Sequence, residues 1–377
     1  MSQVIVKKAT YDYELLKPLV FEIMDALGAG EMIKRRKCVL IKPNLLIAAK
    51  PGEAVLTHYL LVKAVAEYVL EKGAAPQVSD SPALGSFQKI LRESGIKDAL
   101  EGLEIGCREF RESLPTDVGE PFGVIDLARD AVEAEMIINL PKLKTHEHML
   151  LTLGVKNMFG CVVGLRKPEW HMRMAANRHM FARLLVQVYQ RLKPSLTILD
   201  GVLAMEGEGP GKRGTPRRLD IIIASRDAFA VDAAVCRMLG LEMDMLPTLK
   251  AARELRFLDD ALVIEGDLLR IEDFRLPKMA SPMLGLPIMH GFIRRFLLQR
   301  PVCDDCRCLV CGECWKFCPA HAISSYDKRL YFDYDQCIRC YCCIEICPYG
   351  ALRTAEPLMG RILSRIIRGK SYRSRAH

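Results

Sequence analysis

Two cysteine runs near the C-terminus constrain this chain more than any other feature. They read Cys308-Leu-Val-Cys311-Gly-Glu-Cys314-Trp-Lys-Phe-Cys318-Pro319 and Cys337-Ile-Arg-Cys340-Tyr-Cys-Cys343-Ile-Glu-Ile-Cys347-Pro348. Three thiolates at CxxCxxC lie on one tight loop and can grip three irons of a cubane cluster. The fourth cysteine, a turn of helix further on, points away, and in this spacing it ligates the other cluster. The pattern predicts two [4Fe-4S] clusters, one on Cys308, Cys311, Cys314 and Cys347, the other on Cys337, Cys340, Cys343 and Cys318. Zinc needs only four ligands and has no use for the third cysteine or the CP. A disulfide framework is disfavoured because MSQVIVKKATYDYELL contains no apolar signal segment. The expectation is reduced thiols and a cytoplasmic protein.

The two runs are an internal repeat, with Ala322-Ile323 matching Ala351-Leu352 after each CP and Arg329 to Asp333 reading as a short strand between them. From Cys308 to Leu352 the chain resembles the two-cluster bacterial ferredoxin, which implies an electron-transfer module wrapped around both cubes. Cys303, Cys306 and Cys342 are left over. Cys306 with Cys311 and Cys314 also fits the plant-type spacing, although the matching second repeat and Pro319 favour Cys308. The spare thiols read as packing residues, reserve ligands or redox-sensitive groups, and none is assigned a role.

A chain of 377 residues is long enough for a second, larger domain. The expected organisation is an α/β domain over 1–270, a linker over 271–301, the cluster module over 302–355 and a basic tail over 356–377. Lys and Arg total 54 against 46 Asp and Glu, a net charge of +8 that suits an anionic ligand or partner without requiring one. Nucleic acid is not indicated, and no apolar run approaches the roughly 20 residues of a membrane span. Helical periodicity covers Leu15 to Leu27, Thr57 to Glu71 with a threonine cap and Gly73 beyond, Arg183 to Leu192 and Ala228 to Leu239. Apolar runs at Val39 to Ile41, Met136 to Leu140, Leu196 to Leu199 and Ile221 to Ala224 read as buried strands. The fold class is α/β, a mostly parallel sheet flanked by helices, followed by the small α+β ferredoxin-like domain.

The carboxyl ends of parallel strands border the ligand crevice of an open sheet. Here each apolar run stops at polar groups: Lys42-Pro-Asn44, Ser79-Asp80-Ser81, Lys142 with Lys144 and His146, Asp200, and Ser225-Arg226-Asp227. Together with Lys156, Asn157, Lys167 and His171 they would build a cationic pocket for an acidic small molecule. In that scheme Lys142, Lys144 and Lys156 hold the anion and His146 moves a proton, with Lys42, Asn44, Asn157 and Asp200 completing the site. The competing reading is a set of ordinary caps and a solvated basic face. Gly209-Pro-Gly211-Lys-Arg-Gly214 satisfies GxGxxG but leads into a strand, so it reads as a flexible loop and no nucleotide site follows. His146 with His148, and His171 with His179, offer no fixed geometry for a separate metal.

The strings VLIKPNLL, INLPKLKTHEHMLLTLGVKNMFGCVVG, LTILDGVLAMEGEGPGKRG and IIIASRDAFAVDAAVCRMLG resemble the signature blocks of the domain-of-unknown-function 362 family, over roughly Val4 to Gly240. That resemblance implies no agreed activity. It marks Lys42, Asn44, Lys142, Lys144, His146, Lys156, Asn157, Asp200, Glu206, Gly207 and Asp232 as motif positions. Three functions stay open: an iron–sulfur oxidoreductase acting on an acidic molecule, a non-catalytic carrier or assembly factor docking a redox partner protein, and an oxygen sensor. The tail from Leu358 to His377 has six basic and no acidic residues, suited to a membrane surface, an acidic partner or the protein's own surface.

Overall fold

Alternation of apolar side chains along each strand sets the architecture. A computed structural model describes residues 2–33, 38–164, 166–174, 177–258, 262–266, 268–277 and 299–357. Val4, Leu40, Ile137, Leu199 and Ile223 enter one apolar core, while their chain neighbours Ile5, Ile41, Ile138, Ile198 and Ile222 enter another. Successive side chains of a strand point to opposite faces, so the sheet is buried on both sides. Helices Tyr13–Ala26 and Tyr59–Glu71 cover one face; Arg178–Leu192, Ala228–Met238 and Pro247–Glu254 cover the other.

The strands are β1 (Ser2–Lys8), β2 (Cys38–Pro43), β3 (Ala75–Asp80), β4 (Gly106–Glu109), the separate hairpin β5 (Ser113–Asp117) and β6 (Val124–Ala128), β7 (Ile137–Leu140), β8 (Lys142–His146), β9 (Leu150–Thr152), β10 (Leu196–Gly207), β11 (Gly214–Ser225) and β12 (Leu262–Glu265). Their order in the sheet is β12-β1-β11-β10-β7-β2-β3-β4, with β8 beside the later part of β10 and β9 beside β8. All run in one direction except β9 and β11. The reversal of β11 corrects one expectation. Ser225 pairs with Thr197 at the start of β10, so Ser225 and Asp227 fall at the end of the sheet opposite the other polar strand termini. A second correction concerns Thr57: His58 is the helix N-cap, and the Thr57 hydroxyl instead donates to the carbonyl of Leu140.

The C-terminal module has its own small core around Ile323, Tyr341, Ile344 and Leu352. Strand Arg300–Cys303 pairs antiparallel with Leu352–Ala355, and Ile323–Tyr326 with Arg329–Phe332. Repeat symmetry extends to the backbone: Val310 and Gly312 in the first cysteine loop and Arg339 and Tyr341 in the second all have positive φ. Most of the expected linker (278–298) and the basic tail (358–377) lie outside the described residues. No described helix is long and apolar enough to cross a membrane.

Candidate functional site

Alternation along β8 points Lys142, Lys144 and His146 to one side, and the neighbouring strand ends add Lys42, Asn44 and Asp80. Six of the eight residues expected to hold or act on a ligand line one cavity: Lys42, Asn44, Lys144, His146, Lys156 and Asn157, joined by Lys167 and His171. Lys142 and Asp200 do not line it. They form a buried ion pair of 2.8 Å beneath the stacked rings of Tyr11 and His58, with the Tyr11 hydroxyl and the His58 amide completing the carboxylate's bonds. A carboxylate so supplied satisfies Lys142 internally, which takes both residues out of the ligand site.

Most cavity lysines are also committed. Lys42 reaches Asp80 at 2.8 Å, Lys144 donates to Asn44 Oδ1 and the carbonyl of Val55, and Lys167 donates to the carbonyl of Ser81. Asn44, Asn157 and Asn139 continue from Lys144 as a buried amide ladder. Gly160 permits this density, because a Cβ there would come within 2.3 Å of Asp80 Oδ1 and 2.5 Å of Lys42 Nζ. Among the described residues, the Lys156 amine makes no hydrogen bond or ion pair. Burial lowers its pKa, opposed by the charge of Glu345. Burial and then Lys156 push Lys144 well below an ordinary lysine, and burial takes Lys167 down to about 8.

The far wall of the cavity comes from the cysteine module: Phe317, Cys342, Glu345 and Ile346. His146 Nε2 lies 3.0 Å from Glu345 Oε1 but off the line of a hydrogen bond, so both buried atoms stay unpartnered, as does Thr152 Oγ1. His146 Nδ1 accepts from the amides of His148 and Met149, which leaves the ring proton on Nε2. Burial and Lys156 lower the pKa of His146 to about 4. Burial alone would raise Glu345, but His146, Lys156 and His171 overcome it and hold the carboxyl well below the usual range. Sequence reading passed over Glu345 and gave the spare Cys342 no role. The one available signal was position: the matching residue of the first repeat, Lys316, is exposed, whereas Glu345 is a charged group between cysteines that turns inward.

GxGxxG forms the seat of this wall. Gly211 packs so closely that a Cβ would meet the carbonyl of Glu345 at 2.8 Å, and Arg213 donates to the carbonyl of Gly350 while pairing with Glu208. The loop is thus a docking surface rather than a flexible connection. Of the other motif positions, Glu206 binds Arg217 and Arg275, and Asp232 caps the Gly154 and Val155 amides.

Two smaller cavities mark the module itself. Cys308, Cys311, Cys314 and Cys347 line one; Cys318, Cys337, Cys340 and Cys343 line the other. Each set crosses between the repeats as the spacing predicts, and each remote cysteine receives a matched amide: Ala322 to Cys318 Sγ at 3.3 Å, Ala351 to Cys347 Sγ at 3.2 Å. Thiolate groups of this number and grouping fit two cubes. Comparison with known proteins agrees. Domain of unknown function (DUF362) matches residues 39–237, and the 4Fe-4S dicluster domain matches residues 307–351. The chain belongs to the DUF362 family.

As a DUF362 protein it is 34% identical to the thylakoid-associated protein of Synechocystis sp. over 303 residues, covering 78% of this chain and 94% of that one. Its cluster module is 37% identical to the pyruvate synthase subunit PorD of Methanocaldococcus jannaschii over 54 residues, 14% of this chain and 63% of that one. The lactate racemase apoprotein of Thermoanaerobacterium thermosaccharolyticum is a more distant structural likeness, with 10% identity, TM-score 0.39, and coverage of 60% of this chain and 55% of that one. That likeness is too slight to carry an argument. The dicluster match gives this DUF362 protein two [4Fe-4S] clusters and an iron–sulfur electron-transfer role.

Proposed function

We propose that this protein is an iron–sulfur oxidoreductase whose α/β domain binds an acidic small molecule in the cavity against the cluster module. The observation that carries the proposal is the composition of that cavity: basic strand-end residues on one side, and Glu345, Cys342 and Phe317 of the cysteine module on the other. Cys308, Cys311, Cys314 and Cys347 would hold one cluster and Cys318, Cys337, Cys340 and Cys343 the other. Bound clusters supply single-electron transfer. Lys156 supplies the free positive charge for the anion, while Lys42, Lys144 and Lys167 are held by protein acceptors and shape the site. His146, with its proton fixed on Nε2, presents a hydrogen-bond donor, and Phe159, Phe317 and Ile346 exclude water.

A carrier role is the second reading, favoured by the likeness of the module alone to a pyruvate synthase subunit and by the exposure of Leu309 and Tyr349 beside the first cysteine set. Anaerobically purified full-length protein decides between them. It should contain about eight irons per chain with matching sulfide. Small organic acids should raise its melting temperature and shift the electron paramagnetic resonance of the reduced clusters. Iron-loaded protein that ignores every acid would leave only the carrier.

A further inference from the structure

The cavity's unpartnered polar atoms specify more than an anion. A buried donor or acceptor without a partner is costly, so a ligand that completes several at once is strongly selected. Three such atoms share this cavity: His146 Nε2, Glu345 Oε1 and Thr152 Oγ1. The first is a donor, because two backbone amides occupy Nδ1. The second, a carboxylate oxygen, is an acceptor. They lie 3.0 Å apart without bonding each other.

One ligand group serving both must accept from His146 and donate to Glu345. A carbonyl cannot donate, and an ammonium cannot accept; a hydroxyl does both. Lys156, whose amine has no protein acceptor among the described residues, lines the same cavity as the pair. A carboxylate on that amine and a hydroxyl on the pair can then belong to one small molecule, with the unpartnered Thr152 Oγ1 on the same lining. The lining also offers an apolar surface, from Leu45, Leu46, Phe159, Phe317 and Ile346.

We propose that the cavity selects a 2-hydroxycarboxylate with an apolar body, its carboxylate on Lys156 and its hydroxyl shared by His146 and Glu345. This rests on reading the cavity as the anion site.

The test is titration calorimetry on anaerobically purified, cluster-loaded full-length protein with matched acids: mandelate against phenylacetate, and 2-hydroxy-4-methylpentanoate against 4-methylpentanoate. The hydroxy acid of each pair should bind at least about tenfold tighter, as expected of a site built to pair a hydroxyl. Lys156→Met should weaken both members of a pair alike, and Glu345→Leu should abolish the difference between them. Electron paramagnetic resonance checks that each variant retains its clusters; if Glu345→Leu does not, the matched acids on the unaltered protein decide alone. Equal affinity within each pair, or tighter binding of the 2-oxo or 2-amino analogue, would overturn the hydroxyl assignment and leave the anion site standing. Failure of every acid to bind would remove both.

Discussion

Lys142 and Lys144 stand two residues apart on one strand, and only the second reaches the cavity. Alternation along LPKLKTH was enough to place both on one side of β8. What separates them is non-local: Asp200 and Tyr11 bond Lys142, and the His58 amide holds the Asp200 carboxylate, three distant segments that no local pattern announces. Lys142→Met should therefore lower the free energy of unfolding by about 3 kcal/mol through the uncompensated Asp200 carboxylate, measured in urea, with no direct effect on ligand affinity. Glu147 gives a pH signature. Burial, then the neighbouring Glu208, raises its pKa to about 8, against 4.5 unperturbed. The folded state holds this proton more tightly than the unfolded state, so the contribution to stability is fully present below about 4.5 and is lost as pH rises through about 8. Glu147→Gln should flatten the fall in melting temperature between those limits. Because Glu147 Oε1 accepts from Thr354 of the cluster module, the module's transition should show the flattening most clearly.

At the scale of elements, buried strands announced themselves through continuous apolar runs, and the crevice rule correctly brought Lys42, Asn44, Lys144 and His146 together at the strand ends. Strand direction was not legible. Ile221 to Ala224 has the same composition as its parallel neighbours, yet the tight connection after Gly207 returns the chain antiparallel, and Ser225 moves to the opposite end. The same connection carries GxGxxG, whose central Gly211 answers a packing demand from Glu345 in the cluster module. Gly211→Ala places a methyl group against the Glu345 carbonyl. It should destabilise the docked module by about 1–3 kcal/mol, seen as earlier proteolytic cleavage between the domains, while leaving the α/β domain's unfolding midpoint unchanged.

For the whole molecule, the division of apolar residues matters most. The α/β domain owns two extensive cores, one on each face of its sheet, whereas among the described residues the module's apolar cluster holds eight buried residues, three of them proposed cluster ligands. Such a core cannot offset its chain entropy without metal, so cluster binding and module folding are one process. Crossed ligation then makes a sharp demand. Cys347 belongs to the second repeat but lines the cavity of the first, so Cys347→Ala should lower iron from about eight to about four atoms per chain rather than abolish loading. Chelation of all the iron should remove one thermal transition and keep the other, with Phe317, Cys342 and Glu345 lost from the cavity wall. Acid binding should disappear with that wall even though every lysine of the α/β domain remains in place, because the Glu345 carboxylate, Phe317 and Ile346 come only from the folded module. Binding that survived complete iron removal would place the ligand site entirely within the α/β domain.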